Sequence, residues 1–319
     1  MVDLEFLGKI KLATTPWAQI FVALAILAPN YNLFAKVNIE MENIDNIPED
    51  EAVIFAMNHT DRFNYWPFQY KLWATGEYPF TTVWVKGKYF NNKILGQFLK
   101  LCNTFPVPTK RYLIDEFFKK IFHRSTTRDE YRMIKDLLDK KIPLSGVLHS
   151  ASQDVKTLLS GKWNKMSGVA ASFLQYIENY YYTMMERVAQ ISLGALFEKK
   201  LSIIIFPEGT RSVQLSEGRN GIAQLALHSD KTVIPIGCNG SEAIYPSSSP
   251  FAKSGTITYR IGEPMTVHDH LEDFRIREKF QLFSKKSQEK YKEVFDAATR
   301  TIMKKIDMLL DERYRVTAQ

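Results

Sequence analysis

The chain has 319 residues, 45% of them hydrophobic and 24% charged, which excludes a disordered tail and allows one large α/β domain with an insertion, or two ordinary domains. Lys and Arg number 42 against 35 Asp and Glu, a formal charge of +7 that suits an anionic partner: nucleic acid, a phosphorylated metabolite or an anionic membrane face. Two cysteines, Cys102 and Cys238, with no C-x-x-C pair, indicate neither a disulfide framework nor a zinc site.

Residues 1–34 read as a helical, membrane-docking segment. "WAQIFVALAILA" (17–28) is apolar apart from Gln19, but a spanning helix needs about 20 such residues, so the run suits an interfacial position. The preceding "MVDLEFLGKIKLATT" mixes Leu4, Phe6, Leu7 and Ile10 with Lys9 and Lys11, as in a helix lying among headgroups. Two helices packed on the domain are the alternative. A cleaved signal peptide is opposed by Asp3 and Glu5.

Residues 35–268 carry the α/β pattern. "AKVNIEM" alternates as a strand, "AVIFAMN" is a buried strand that delivers His59 at its carboxyl end, and "YWPFQYKLWA" is a helix with Pro67 in its first turns. Next come "FTTVWVK" as strand, "YFNNKILGQFLKLC" as helix and "NTFPVP" as extended chain. From 113 to about 185 the rhythm breaks into mostly helical pattern, a helical insertion whose "SFLQYIENYYYTMMERV" has a dense aromatic and methionine face suited to a core, or to a lid or acyl-chain wall. Alternation resumes with "KKLSIIIFPEG", "GIAQLALHS", "TVIPIGCNG" and "GTITYRIGEP", and residues 269–319 form a closing amphipathic helix or pair. The expected fold is a mixed, mostly parallel sheet flanked by helices.

Two stretches carry candidate chemistry. In "IIIFPEGTRS" (203–212) a β-branched run drops through Pro207 into a turn with Gly209, then Arg211. Glycine permits close backbone approach, and a guanidinium offers a planar fork of donors for phosphate. Glu208 can order that arginine or accept a substrate hydroxyl. In "FAMNHTDRFNYWPF" (55–68), His59 has Asp61 and Asn64 close behind it. A helix starting near Asp61 would make Asp61 its cap and bring Asn64 back toward the imidazole.

"NHTDRFN" followed by "FPEGTRS" and "VIPIG" resembles the ordered motif blocks of the glycerol-phosphate and lysophosphatidate acyltransferase superfamily, N-H-x-x-x-x-D and F-P-E-G-T-R-S. The segment "VKGKYFNNKILGQFLKLCNTFPVPTKR" is similar to the family's block ending in a phosphate-side basic residue. The resemblance covers residues 35–112 and 187–265. It departs where the family places its catalytic aspartate, since this sequence has Asn64 there.

The resemblance implies transfer of a fatty acyl group from an acyl thioester donor, acyl-CoA or acyl carrier protein, to a hydroxyl of glycerol 3-phosphate, lysophosphatidate or another lysophospholipid at the cytoplasmic face of a membrane. His59 would be the general base, with Asn64 or Asp61 holding its tautomer. Arg211, with Glu208 and Gly209, would receive the phosphate, with Lys86 and Arg111 as further candidates. Such chemistry requires no metal or redox cofactor. A non-catalytic lipid-binding homologue is the alternative, because Asn64 brings no negative charge. Nucleic acid is not an expected partner, since no recognition motif accompanies the charge. "HSASQD" lacks a G-x-S-x-G elbow, and helix capping accounts for "VHDHLEDF" more simply than a metal does.

Overall fold

The computed structural model describes residues 1–147, 149–161 and 172–316; part of the predicted insertion, 162–171, lies outside them. Seven strands, β1 (Val37–Glu42), β2 (Ile54–Met57), β3 (Thr81–Lys86), β4 (Phe105–Val107), β5 (Ser202–Ile205), β6 (Val233–Asn239) and β7 (Gly255–Ile261), form one sheet of order β1-β7-β6-β2-β5-β3-β4. β2 runs parallel to β5 and β6, β3 parallel to β5, and β1 parallel to β7; the β6–β7 pair is antiparallel. The fold is therefore α/β with a mostly parallel sheet. β2, β5 and β6 are buried throughout, which explains their continuous apolar runs, whereas the edge strand β1 alternates.

In chain order the helices are α1 (Leu4–Gly8), α2 (Trp17–Phe34), α3 (Tyr65–Thr75), α4 (Lys93–Leu101), α5 (Lys110–Phe122), α6 (Arg128–Leu138), α7 (Leu144–Val147), α8 (Gln153–Leu159), α9 (Phe173–Leu193), α10 (Gly221–Ser229), α11 (Ser241–Ile244), α12 (Lys285–Lys290) and α13 (Lys292–Met308). The chain divides into two compact units. One holds Met1–Lys9, Val85–Gly96 and Pro106–Val188; the other holds Ile10–Trp84, Gln97–Phe105 and Ala189–Gln319.

The first unit is mostly helical. Its α6 begins with a capping box between Thr127 and Glu130. Arg124 bridges Glu130 at 2.7 Å and Asp154 at 2.5 Å, and its hydrogen bonds hold the Glu130 carboxyl down to about 2. Ser152 caps α8 and donates to Glu130 at 2.6 Å. The serine and aspartate of "HSASQD" thus tie helices together. The aromatic face of α9 is core here: Phe173, Ile177 and Met184 are buried, and Tyr176 and Tyr180 pack edge-on to Phe117.

In the second unit α2 is anchored by one face. Ala23, Leu27, Tyr31 and Ala35 recur every four residues and are buried. Two π turns, Ala23–Leu27 and Asn30–Phe34, hold more residues per turn than an α-helix and keep that spacing in line. Gln19 donates to the carbonyls of Thr81 and Cys102 at 2.9 and 2.8 Å, and the Tyr31 and Tyr245 hydroxyls meet at 2.7 Å. The opposite face leaves Trp17, Phe21, Leu24, Leu33 and Phe34 exposed. The carboxyl-terminal stretch closes with the pair α12 and α13; Phe295, Ala298, Thr299, Ile302 and Ile306 of α13 are buried at helical spacing.

Candidate active site

Strand register brings the two motif stretches together. Ala56 of β2 lies opposite Ile205 of β5; three residues beyond that pair stand His59 and Glu208. Both leave the carboxyl edge of the sheet, where open α/β folds bind ligands. The connection is direct: the His59 backbone N–H donates to Glu208 Oε1 at 2.8 Å, and the Ser212 N–H donates to the His59 carbonyl at 2.9 Å. Glu208 Oε2 accepts the backbone N–H and the hydroxyl of Ser216, both at 2.9 Å. Only 2% exposed, Glu208 has its pKa raised by desolvation against the pull of those hydrogen bonds. It fastens one motif loop to the other.

The F-P-E-G turn closes with the Gly209 N–H donating to the Phe206 carbonyl at 3.0 Å, and Gly209 has φ +65°. Pro207 sets the turn's second position, and glycine takes the left-handed one without strain. Arg211 follows on the exposed loop and makes no ion pair among the described residues.

On the other loop, α3 begins at Tyr65 with Asn64 as N-cap, later than a helix starting near Asp61. Pro67 explains the shift: it has no N–H to give a preceding turn and so must lie within the first turn. Asp61, buried, closes an Asx turn instead, accepting the Phe63 N–H at 2.7 Å, and its other oxygen accepts the Thr60 hydroxyl at 3.1 Å. Burial raises its pKa.

Asn64 is fully buried. Its amide donates to the Asn58 carbonyl at 2.8 Å, which fixes the amide's sense and turns Oδ1 toward His59 Nδ1 at 3.4 Å. With the amide oxygen as acceptor, that contact calls for a proton on Nδ1. The ring itself stacks on Phe206 with centroids 4.1 Å apart and planes at 21°. Beneath it, the Asn58 side chain both donates to and accepts from the Cys238 backbone, at 3.0 and 2.7 Å, pinning the end of β2 to β6. The Tyr259 hydroxyl donates to the Asn64 carbonyl.

Asn58, Phe206, Ser216 and Tyr259 are supporting residues that sequence reasoning did not single out. Asn58 and Phe206 sit inside the quoted motifs. Tyr259 gives no local signal, because β7 is far from β2 in sequence. His59, Asp61, Asn64, Glu208, Gly209 and Arg211 all belong to the second unit, while Lys86, the last residue of β3, and Arg111, in the first turn of α5, belong to the first. Arg111 lies over the Tyr131 ring at 4.8 Å.

A groove in the second unit is bounded by Val22, Ala23 and Leu27 of α2, by Tyr65, Trp66 and Trp73 of α3, and by Phe98, Leu99 and Cys102. Tyr65 meets Phe206 edge-on at 6.2 Å, so one aromatic contact separates the groove wall from the ring beneath His59.

The carboxyl edge of the mostly parallel sheet thus carries a half-buried histidine backed by a proline–glycine turn. Residues 142–239 match the family model described as Acyltransferase. The matched stretch contains β5, the F-P-E-G-T-R-S loop and β6, and does not include His59. Among solved structures the chain is similar to the 1-acyl-sn-glycerophosphate (LPA) acyltransferase PlsC from Thermotoga maritima, with 14% identity, a TM-score of 0.40, and coverage of 90% of this chain and 80% of that chain. The search of curated proteins returned no match.

Proposed function

We propose that the protein is an O-acyltransferase that moves a fatty acyl group from acyl-CoA or acyl carrier protein to a hydroxyl of glycerol 3-phosphate, lysophosphatidate or another lysophospholipid. The observation that carries this reading is the imidazole of His59, fixed through Asn64 and joined by backbone hydrogen bonds to the loop bearing Arg211. Nε2 takes the acceptor hydroxyl's proton as its oxygen attacks the thioester carbonyl. The tetrahedral intermediate collapses, expelling the thiolate of a thiol with a pKa of about 8.5, and the proton leaves on that thiol. Arg211 receives the acceptor's phosphate, with Gly209 allowing close approach. Asn64 orients the imidazole, and Asp61 supplies negative charge from the adjoining turn. Lys86 and Arg111 remain candidates for further anion contacts. The reaction needs no metal or redox cofactor.

The exposed apolar face of α2 is the membrane-docking surface in this reading. By length and composition α2 could cross a bilayer. Its opposite face is instead committed to the protein through Gln19 and Tyr31, which supports a peripheral or monotopic position; the cytoplasmic face is the side this reading assigns it. The groove between α2 and α3 then receives the acyl chain, and basic residues add attraction to anionic lipid.

The test is release of free thiol from a long-chain acyl-CoA across a panel of glycerophosphates and lysophospholipids. Turnover by the wild type and none by His59→Ala is the expected result. Turnover that survives His59→Ala removes the general base from the scheme. Binding of lysophospholipid with no thiol release from any acceptor would establish the non-catalytic homologue, which the uncharged Asn64 favours.

A further inference from the structure

The loop from Arg211 to Asn220 is held from two sides. One side is the active-site tie, Ser212 to His59 and Ser216 to Glu208. The other is the chain's carboxyl end. The Leu215 N–H donates to the Tyr314 carbonyl at 2.7 Å, and Leu215 is buried. At Gly218 a Cβ would come within 2.8 Å of Met303 and Thr299 side-chain atoms, so the loop backbone rests on α13. Asn220 donates to Asp296 at 2.6 Å.

Tyr314 is itself firmly seated. Its side chain is fully buried; its hydroxyl donates to the Glu242 carboxylate, 2.7 and 2.8 Å from the two oxygens, and accepts the Gly240 N–H at 2.9 Å. Just before it, the Asp311 N–H donates to Asn239 Oδ1 at 2.8 Å, and Arg260 holds the Leu309 carbonyl at 3.1 Å and Asp311 at 2.7 Å. A surface tail that only covered a core would need none of these polar attachments. Tails are ordered only where they are tied down, and this one is tied on the strand-end side to β6 and β7 and on the other to the loop that carries Arg211.

We propose that residues 309–315 act as a strap that positions the Arg211 loop, with Tyr314 as the positioning residue. Leu215 is the point of attachment, four residues from Arg211. The guanidinium sits on exposed chain, so its standing position depends on where that chain is fixed. The strap supplies the fixed point away from the imidazole. Its loss therefore leaves the His59–Asn64 pair in place and loosens the phosphate side alone. This rests on the acyltransferase reading for its kinetic consequence and on the structure alone for its mechanical one.

The experiment compares Tyr314→Phe, which keeps the ring and backbone but loses the hydroxyl anchors, with Tyr314→Ala and with Arg211→Ala. With oleoyl-CoA and 1-oleoyl lysophosphatidate, Tyr314→Ala is expected to raise the KM for lysophosphatidate about tenfold, leaving the KM for oleoyl-CoA unchanged, with Tyr314→Phe between it and wild type. Combined with Arg211→Ala, Tyr314→Ala should add little. Equal changes in kcat and both KM values, or full additivity with Arg211→Ala, would overturn the proposal. Amide hydrogen exchange supplies the arm that does not depend on activity. In Tyr314→Ala the amides of Ser212, Leu215 and Ser216 should exchange faster while those of β2 and β5 keep their protection. Unchanged exchange at Leu215 defeats the strap whatever the kinetics; faster exchange there, when the wild type releases no thiol with any acceptor of the panel, upholds the strap and defeats the acyltransferase reading.

Discussion

The two loops that meet at the carboxyl edge of the sheet are built in opposite ways. The β2–α3 loop is sealed: Asn58, Thr60, Asp61 and Asn64 are all buried, and their side chains hydrogen-bond among themselves and to β6. The loop after β5 is open: Arg211, Val213 and Gln214 are exposed, and order comes from backbone amides caught by Glu208, His59 and Tyr314. A base must keep one tautomer and one direction, which a dense polar network enforces. In the proposed scheme Arg211 reaches the phosphate from exposed chain that is held through its backbone.

The largest effect expected from breaking this contrast is on the sealed side. His59→Ala should lower thiol release by roughly 10²- to 10⁴-fold with little change in melting temperature, measured by discontinuous thiol assay and calorimetry. Glu208→Gln comes next, because it strikes both loops. Its amide can accept the His59 N–H but presents a donor to the Ser216 N–H, so a loss of about 1–3 kcal/mol of stability is expected, with a fall in turnover. Its pH dependence has a definite sign. Burial raises the Glu208 pKa above 4.5, so the folded state holds that proton more tightly than the unfolded state. The Glu208 contribution to stability therefore falls as pH rises from 4.5 through the folded pKa. Glu208→Gln should gain on wild type across that window in melts at stepped pH; a constant gap would mean the carboxylate is not desolvated.

Asn64→Asp sharpens the comparison further. The carboxylate sets an oxygen against the Asn58 carbonyl, 2.8 Å from the present amide nitrogen. The expected outcome is a loss of about 1–3 kcal/mol in stability and no gain in rate; a faster enzyme would show that missing charge, not the hydrogen bond to Asn58, limits the site. The smallest effect belongs to α2. Trp17→Ser with Phe21→Ser removes exposed rings and should reduce sedimentation with anionic vesicles while leaving turnover of a short-chain, water-soluble donor unchanged. Binding by the wild type that vanishes as salt rises would mean that charge, not insertion, holds the protein on the lipid.

Much of this was legible in the chain itself. The apolar runs "AVIFAMN", "SIII" and "TVIPIG" have the length and β-branching of strands buried on both faces, and they became β2, β5 and β6. The two stretches that meet at the sheet edge, around His59 and around Glu208, stood out residue by residue. The stretch "YWPFQYKLWA" starts where α3 starts, at Tyr65; only the conditional start near Asp61, which has the chemistry of a cap, lies too early. Pro67, six residues on, held the information that the helix begins later.

Residue type and local spacing determined the elements and the strand ends carrying His59 and Glu208, because each depends on neighbours within a few positions. Only the tertiary structure decided that Ala56 stands opposite Ile205, that Glu208 is spent on the His59 and Ser216 amides, that Asn58 fixes which way Asn64 points, and that Tyr314 reaches Leu215. Those contacts join segments up to about a hundred and fifty residues apart, and a hydrogen bond between remote segments leaves no periodic trace in the sequence of either one.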